Sequence, residues 1–163
     1  RMARHQMLND IIWRSLTRAN GPAVKEPVGL SRDDGKRPDG LTLIPWKSGK
    51  CLTWDVTVAD TFASSYRALS AQTAGSAAES AAVKKTSKYS ALSTTHLFYP
   101  LAWESMGVIN SMGVQFLREL GVRLSTVTGD QREGAFLFQR LSIALQRCNT
   151  ICFSGTFTTP STT

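Results

Sequence analysis

Two aspartates and two lysines carry the first chemical suggestion in this chain. Asp39 follows Pro38 in "GKRPDG", and Asp55 lies in the apolar run "CLTWDVTV", with fifteen residues between them. Two carboxylates brought together can hold one divalent ion through oxygen ligands and leave positions open for water and a phosphate. Lys85 and Lys88 stand three apart in "AAESAAVKKTSKYSAL", a spacing that puts both on one helix face. An ammonium group there can steady the negative charge that grows when a phosphodiester is attacked. Each part also has a plainer reading. Asp39 can cap the turn after Pro38, Asp55 can pair with an arginine, and a lysine run is often a solvated helix face.

The elements needed to assemble this set are legible as patterns. "LTLIPW" and "CLTWDVTV" read as two strands, rich in β-branched and aromatic residues, joined at "KSGK" as a hairpin. Folding there brings the start of one strand beside the end of the other, with Asp55 expected near Thr42 or Leu41 and both acids at one open end. "RHQMLNDIIWRSLTRA" has apolar residues at helical spacing and stops at Asn20-Gly21-Pro22. "KEPVGL" reads as a short extended piece and "SRDDGKRPDG" as a turn-rich loop. Ala77, Ala78, Ala81 and Ala82 form a thin small-residue face that lets a helix approach a sheet closely.

"HLFYPLAW" is a buried-strand candidate suited to the centre of a sheet. "ESMGVINSMGVQFLREL" reads as a helix with Ile109, Met112, Phe116 and Leu120 inward, ended by Gly121, and "REGAFLFQRLSIALQRCN" as the last helix. The expected fold is α/β, a small central mixed sheet flanked by helices over residues 1–153. Residues 154–163 read as a polar flexible tail.

Bulk properties narrow the partner. A chain of 163 residues fits one domain, and 42% hydrophobic content is that of a folded protein. Nineteen Lys and Arg against twelve Asp and Glu give a charge of +7, which favours a polyanion, either nucleic acid or an anionic membrane surface. No apolar run approaches the ~20 residues of a membrane span, and the arginine-rich start lacks the apolar core of a signal peptide. Cys51, Cys148 and Cys152 are odd in number and scattered, as expected of buried thiols in a reducing compartment. With only His5 and His96 beside them, no zinc quartet forms. A start at Arg1 suggests a segment of something longer. Arg14 and Arg18 on the first helix, and Arg140 and Arg147 on the last, form stripes that can face phosphates. Trp13, Trp46, Trp54 and Trp103 can stack on bases, although core packing is the simpler use.

The motifs together resemble a known family. Arg4-His5 opens the first helix, followed by Arg37-Pro38-Asp39, Trp54-Asp55-Val56-Thr57 and Lys85-Thr86-Ser87-Lys88-Tyr89. This order is similar to PD-(D/E)XK nucleases, with Thr57 standing where that motif usually has its lysine. It is closer to the restriction-endonuclease-like domain behind the reverse transcriptase of certain non-LTR retrotransposon polyproteins, over roughly residues 4 to 156. No polymerase motif of the Tyr-x-Asp-Asp kind is present. In the family a zinc knuckle precedes the Arg-His; its lack here fits a C-terminal fragment.

The resemblance implies a metal-dependent DNA endonuclease that nicks target DNA, with a metal-activated water attacking the phosphodiester. Asp39 and Asp55 would bind Mg2+ or Mn2+, Lys85 and Lys88 would be the displaced catalytic lysines, and Tyr89 would support them. Glu26 is a candidate extra acid and Glu104 its rival, with a structural role favoured for both. Arg4, His5, Arg14, Arg18, Arg37, Arg140 and Arg147 are the candidate DNA contacts. Implied partners are DNA and, through the parent polyprotein, element RNA; the implied location is nuclear, with no membrane role. The alternatives are a retroelement-derived DNA-binding module that no longer cuts, and a small interaction domain whose charge is incidental.

Overall fold

The sheet is laid down in chain order, β1-β2-β3-β4. The computed structural model describes residues 2–60 and 74–156. Its elements are α1 (Met2–Arg18), β1 (Ala23–Lys25), β2 (Gly40–Lys47), β3 (Lys50–Ala59), α2 (Ser76–Lys88), β4 (Leu97–Glu104), α3 (Ser111–Thr128) and α4 (Glu133–Thr156). The first three strands pair antiparallel, and β3 pairs parallel with β4, so the sheet is mixed and open. The α/β architecture expected from the sequence is present: among the described residues, four α-helices pack on a small mixed sheet.

Strand alternation divides the helices between the two faces. Leu52, Trp54 and Val56 of β3, with Tyr99, Leu101 and Trp103 of β4, point into the main core. There they meet Leu8, Ile12 and Leu16 of α1, Phe116, Leu117, Leu120 and Leu124 of α3, and Leu137, Leu141 and Leu145 of α4. Full burial of each such side chain stabilises the fold by about 1.5–3 kcal/mol. On the opposite face Ala59 and Ala102 meet Ala77, Ala78, Ala81 and Ala82 of α2. Methyl against methyl holds α2 close to the strands, and Lys85, one turn beyond Ala81, is carried in with it.

Several expectations need correction. The hairpin does turn at "KSGK", where Lys47 pairs with Lys50 and Ser48 and Gly49 take positive φ values of 53 and 73, as a two-residue turn requires. The register, however, slips twice, by three residues in all, between Lys47–Lys50 and Leu41–Thr53. Between the Leu41–Thr53 and Pro45–Cys51 pairs, β2 advances four residues while β3 advances two. Pro45 has no N–H to give to the ladder. Thr42 fills the gap, its Oγ1 accepting from Leu52 N at 2.9 Å and donating to Ile44 O at 2.9 Å. Asp55 therefore falls beside Asp39, not beside Thr42 or Leu41.

Strand β4 is not central; among the described residues it is an edge. Its outer side is covered by Asn110, whose N donates to Ala102 O at 3.0 Å. The side chain of Asn110 accepts from Ala102 N and donates to Pro100 O, both at 2.9 Å. This detour makes "ESMGVIN" a turn and a bridge rather than a helix, so α3 begins at Ser111 and runs past Gly121 to Thr128. Gly121 does not end it but permits close contact, since a Cβ there would lie 2.7 Å from Gly134 Cα. The left-handed cap is Gly129, with φ 75. Met112 is exposed, and Ile109 packs from outside the helix.

In "KEPVGL" only Lys25 belongs to a strand, and Val28–Leu30 forms a 3-10 turn. Helix α4 continues to Thr156, three residues into the stretch read as a tail; the remainder of that stretch lies outside the described residues. Among the described residues no helix is long and apolar enough to cross a membrane.

Candidate active site

The hairpin, the first turns of α1 and the last turn of α2 converge on one pair of carboxylates. Asp39, just before β2, donates its N–H to Trp54 O at 3.0 Å. Its Oδ2 accepts from Val56 N at 2.6 Å and lies 2.9 Å from His5 Nε2 on α1. These bonds tie Asp39 across to β3, next to Asp55, and both carboxyl groups are buried. Gly40 makes the crossing possible: a Cβ there would fall inside the Trp54 ring.

Burial pushes the Asp39 carboxyl up, but the His5 hydrogen bond and charge, with the Val56 N–H, outweigh it and hold Asp39 below the usual carboxylate range. The same hydrogen bond holds His5 above its ordinary value. Asp55 goes the other way. Burial and the neighbouring Asp39 charge raise it to about 7, against the opposing pull of Lys85. Lys85 Nζ lies 2.8 Å from Asp55 Oδ2, but off the direction of a hydrogen bond, so the contact is Coulombic and the buried oxygen keeps a free lone pair.

That unsatisfied oxygen bears on metal fit. Among the described residues no group of three or more His, Cys, Asp or Glu is placed to hold an ion. Magnesium does not need one: it binds through one or two carboxylates and keeps several waters. The all-oxygen pair of Asp39 and Asp55 fits Mg2+ or Mn2+ and does not fit an ion that demands thiolates or imidazoles.

The remaining candidates scatter. Thr57, two residues after Asp55 on the same face of β3, has a buried hydroxyl without a hydrogen-bond partner. Lys88 stays half-buried, its Nζ 5.0 Å from the centre of the Tyr89 ring, and burial and the Lys85 charge lower its pKa. Tyr89 is buried, which raises its phenol pKa, and it packs on Phe98. Glu26 is exposed, takes a positive φ of 47 and faces Arg37 at 3.6 Å, so its carboxylate is not at the pair. Glu104 is buried and accepts the N–H groups of Ala77 and Ala78 at 3.0 and 3.3 Å, closing the N-terminus of α2.

The expected DNA contacts include several structural ties. Arg4 donates to Asn149 Oδ1 at 3.0 Å, linking α1 to α4. Arg18 pairs with Glu133 at 3.0 Å across the same interface, and Arg14 pairs with Asp10 at 3.0 Å. Arg140 and Arg147 are exposed on α4 and make no ion pair with a described residue. Trp46, Trp54 and Trp103 are buried, and half-buried Trp13 donates to Ala23 O at 2.8 Å. Cys148 is buried, Cys51 is half-buried, and the side chain of Cys152 lies outside the described residues.

The sequence reading gave no role to Arg32, whose guanidinium lies 5.9 Å from the centre of the Tyr89 ring, or to Lys36, which closes the same turn. Their only signal was two basic residues four apart in an acidic turn. No protein-family model matches the chain, and no curated protein matches it.

Proposed function

We propose that this chain is a Mg2+- or Mn2+-dependent DNA endonuclease domain of restriction-endonuclease-like fold, of the kind carried by non-LTR retrotransposon polyproteins and acting on nuclear DNA. The observation that carries this reading is the buried Asp39–Asp55 pair with the Lys85 ammonium 2.8 Å from Asp55. Such a pair in a protein of charge +7 is suited to a cation held against a polyanion. Asp39 and Asp55 would hold the ion. When bound, it supplies Lewis-acid stabilisation of a phosphoryl oxygen and makes water a better nucleophile at neutral pH. His5 keeps Asp39 ionised and oriented. Lys85 sits where it can offset charge on the phosphate, and the basic surface draws DNA in.

Nicking of supercoiled plasmid tests the reading. Magnesium should support nicking and EDTA should stop it. Asp55→Ala should lower the rate by about 10²-fold or more, in the range of losing one transition-state contact. Full activity in Asp55→Ala refutes the site.

A second reading, a DNA-binding module that does not cut, is favoured by one feature: each aspartate already has a cationic or ionisable neighbour, His5 or Lys85, on its Oδ2. It gives salt-sensitive DNA retention with no nicking.

A further inference from the structure

Beside the carboxylate pair, the loop 31–37 and the end of α2 assemble positive charge that the pair does not use. The Arg32 guanidinium lies 5.9 Å from the centre of the Tyr89 ring, and Lys88 Nζ lies 5.0 Å from the same centre. Tyr89 is buried, with its ring 5.3 Å from that of Phe98, so it is a fixed plate against which both cations rest. The loop is closed by Arg32 N–H to Lys36 O at 2.7 Å and Gly35 N–H to Arg32 O at 2.9 Å, with Gly35 at φ 78. Arg32 and Lys36 therefore stand at the two ends of one turn.

The same turn carries two exposed carboxylates, Asp33 and Asp34, and Asp34 answers the cations directly. Asp34 Oδ2 lies 3.4 Å from Arg32, and its Oδ1 accepts the Lys36 N–H at 3.0 Å. All twelve Asp and Glu of the chain lie among the described residues, and neither Lys36 nor Lys88 forms an ion pair with any of them. Glu26, the nearest acid in sequence before the loop, is taken by Arg37. Lys85, the next cation along, is taken by Asp55. Three cations against the two carboxylates of the turn, of which only Asp34 forms an ion pair with them, leave a net positive charge, which an external anion can neutralise.

The position indicates which anion. Lys88 is three residues beyond Lys85 on α2, about 4.5 Å along the helix axis. Successive phosphates of one DNA strand advance about 3.4 Å along the duplex axis. A phosphate adjoining one presented to Asp39 and Asp55 is thus separated from it by a step comparable to that between Lys85 and Lys88.

We propose that Arg32, Lys36 and Lys88 form a phosphate-binding subsite that grips the DNA strand beside the phosphate presented to Asp39 and Asp55, an inference that rests on the endonuclease reading. It moves Lys88 from the reacting phosphate to its neighbour and gives the acidic-basic turn a function. Of the two lysines on α2, Lys85 is the one in contact with the carboxylate pair.

The test is binding of a fluorescein-labelled DNA duplex by anisotropy across a salt series, without divalent ion. Each phosphate contact removed should reduce the slope of log K against log salt by about 0.9. Lys36→Gln, on an exposed loop, should reduce the slope by about one. Lys36→Gln with Lys88→Gln should reduce it by about two and weaken binding about tenfold or more near 0.1 M salt. The paired Lys→Arg substitutions should keep the wild-type slope, as should Lys47→Gln at the turn end of the hairpin. Circular dichroism checks that each variant is folded.

An unchanged slope in both Gln variants overturns the subsite; if plasmid nicking then persists and still depends on Asp55, the endonuclease reading stands without it. Failure of the wild-type protein to bind DNA at low salt overturns both.

Discussion

Asp55→Asn separates the charge of the site from its shape. Burial and the Asp39 charge raise Asp55 from 3.8 to about 7, so between those values the folded protein holds a proton that the unfolded chain has released. Asp55 therefore contributes its full stability below about pH 4, and that contribution is lost as the pH rises through 7. At 1.36 kcal/mol per pH unit, the span from 3.8 to about 7 is worth about 4 kcal/mol as an upper figure, with the Lys85 attraction already set against it. Asparagine keeps the shape of the protonated acid and cannot ionise. In EDTA the variant should match wild type near pH 4 and exceed it by about 2–4 kcal/mol at pH 8. Urea unfolding followed by circular dichroism at the two pH values measures this directly. Magnesium should then raise the stability of wild type at pH 8, by about 2.7 kcal/mol at a hundred times its Kd, and leave the variant unmoved. Parallel stabilities from pH 4 to 8 would show that Asp55 is an ordinary solvated carboxylate. A variant weaker than wild type at pH 8 would show that the Lys85 ion pair outweighs burial. Either result refutes the reasoning.

Two further substitutions probe the frame around the pair. Gly40→Ala drives a methyl into the Trp54 ring, which is fully buried and tied by its Nε1 to Asn9 Oδ1 at 2.7 Å. Overpacking plus a broken buried hydrogen bond should cost about 3–5 kcal/mol in thermal unfolding, and a loss under ~1 kcal/mol would mean that the ring yields freely. His5→Gln should destabilise by about 1 kcal/mol, because the half-exposed pair is screened by solvent. The loss should be greatest between about pH 4 and 6.5. Below that window Asp39 protonates as the pH falls through its depressed pKa. Above it, the His5 contribution is lost as the pH rises through its raised pKa. Urea midpoints at pH 5.5 and 9 decide the point; equal losses at both would show that His5 acts by packing.

The parts of the fold that announced themselves were those set by local pattern. The hairpin, α1 and the alanine face all follow from residue spacing, and the convergence of Asp39 with Asp55 survived a wrong register because the turn brings the two strand ends together and the register slips then set the acids side by side. What escaped was decided by single side chains acting over long separations. Thr42 replaces a ladder bond at Pro45 and shifts the pairing by two. Glu104 looks like a spare acid until α2 places its first N–H groups against it. Helical periodicity in "ESMGVIN" is real, but Asn110 finds better partners on β4. Arg18, counted as a DNA contact, is held by Glu133 across 115 residues of chain. Lys85 is the informative middle case. Its face was legible from Ala81 and Ala82, whereas its aspartate was not.

The Asn110 contacts have a consequence for how copies of this protein meet. A sheet edge with free amides and carbonyls is a template for adding another molecule's strand, the usual beginning of swapped dimers and fibrils. At β4, Asn110 takes both backbone groups of Ala102 and the carbonyl of Pro100, which has no N–H to offer. Among the described residues, Asn110 thereby occupies the outer side of β4 at Pro100 and Ala102 and discourages a further strand from adding there. The other edge, β1, is three residues long and carries Lys25, a length and a charge that discourage recruitment. Copies of this protein brought close together thus meet sheet edges that discourage strand addition.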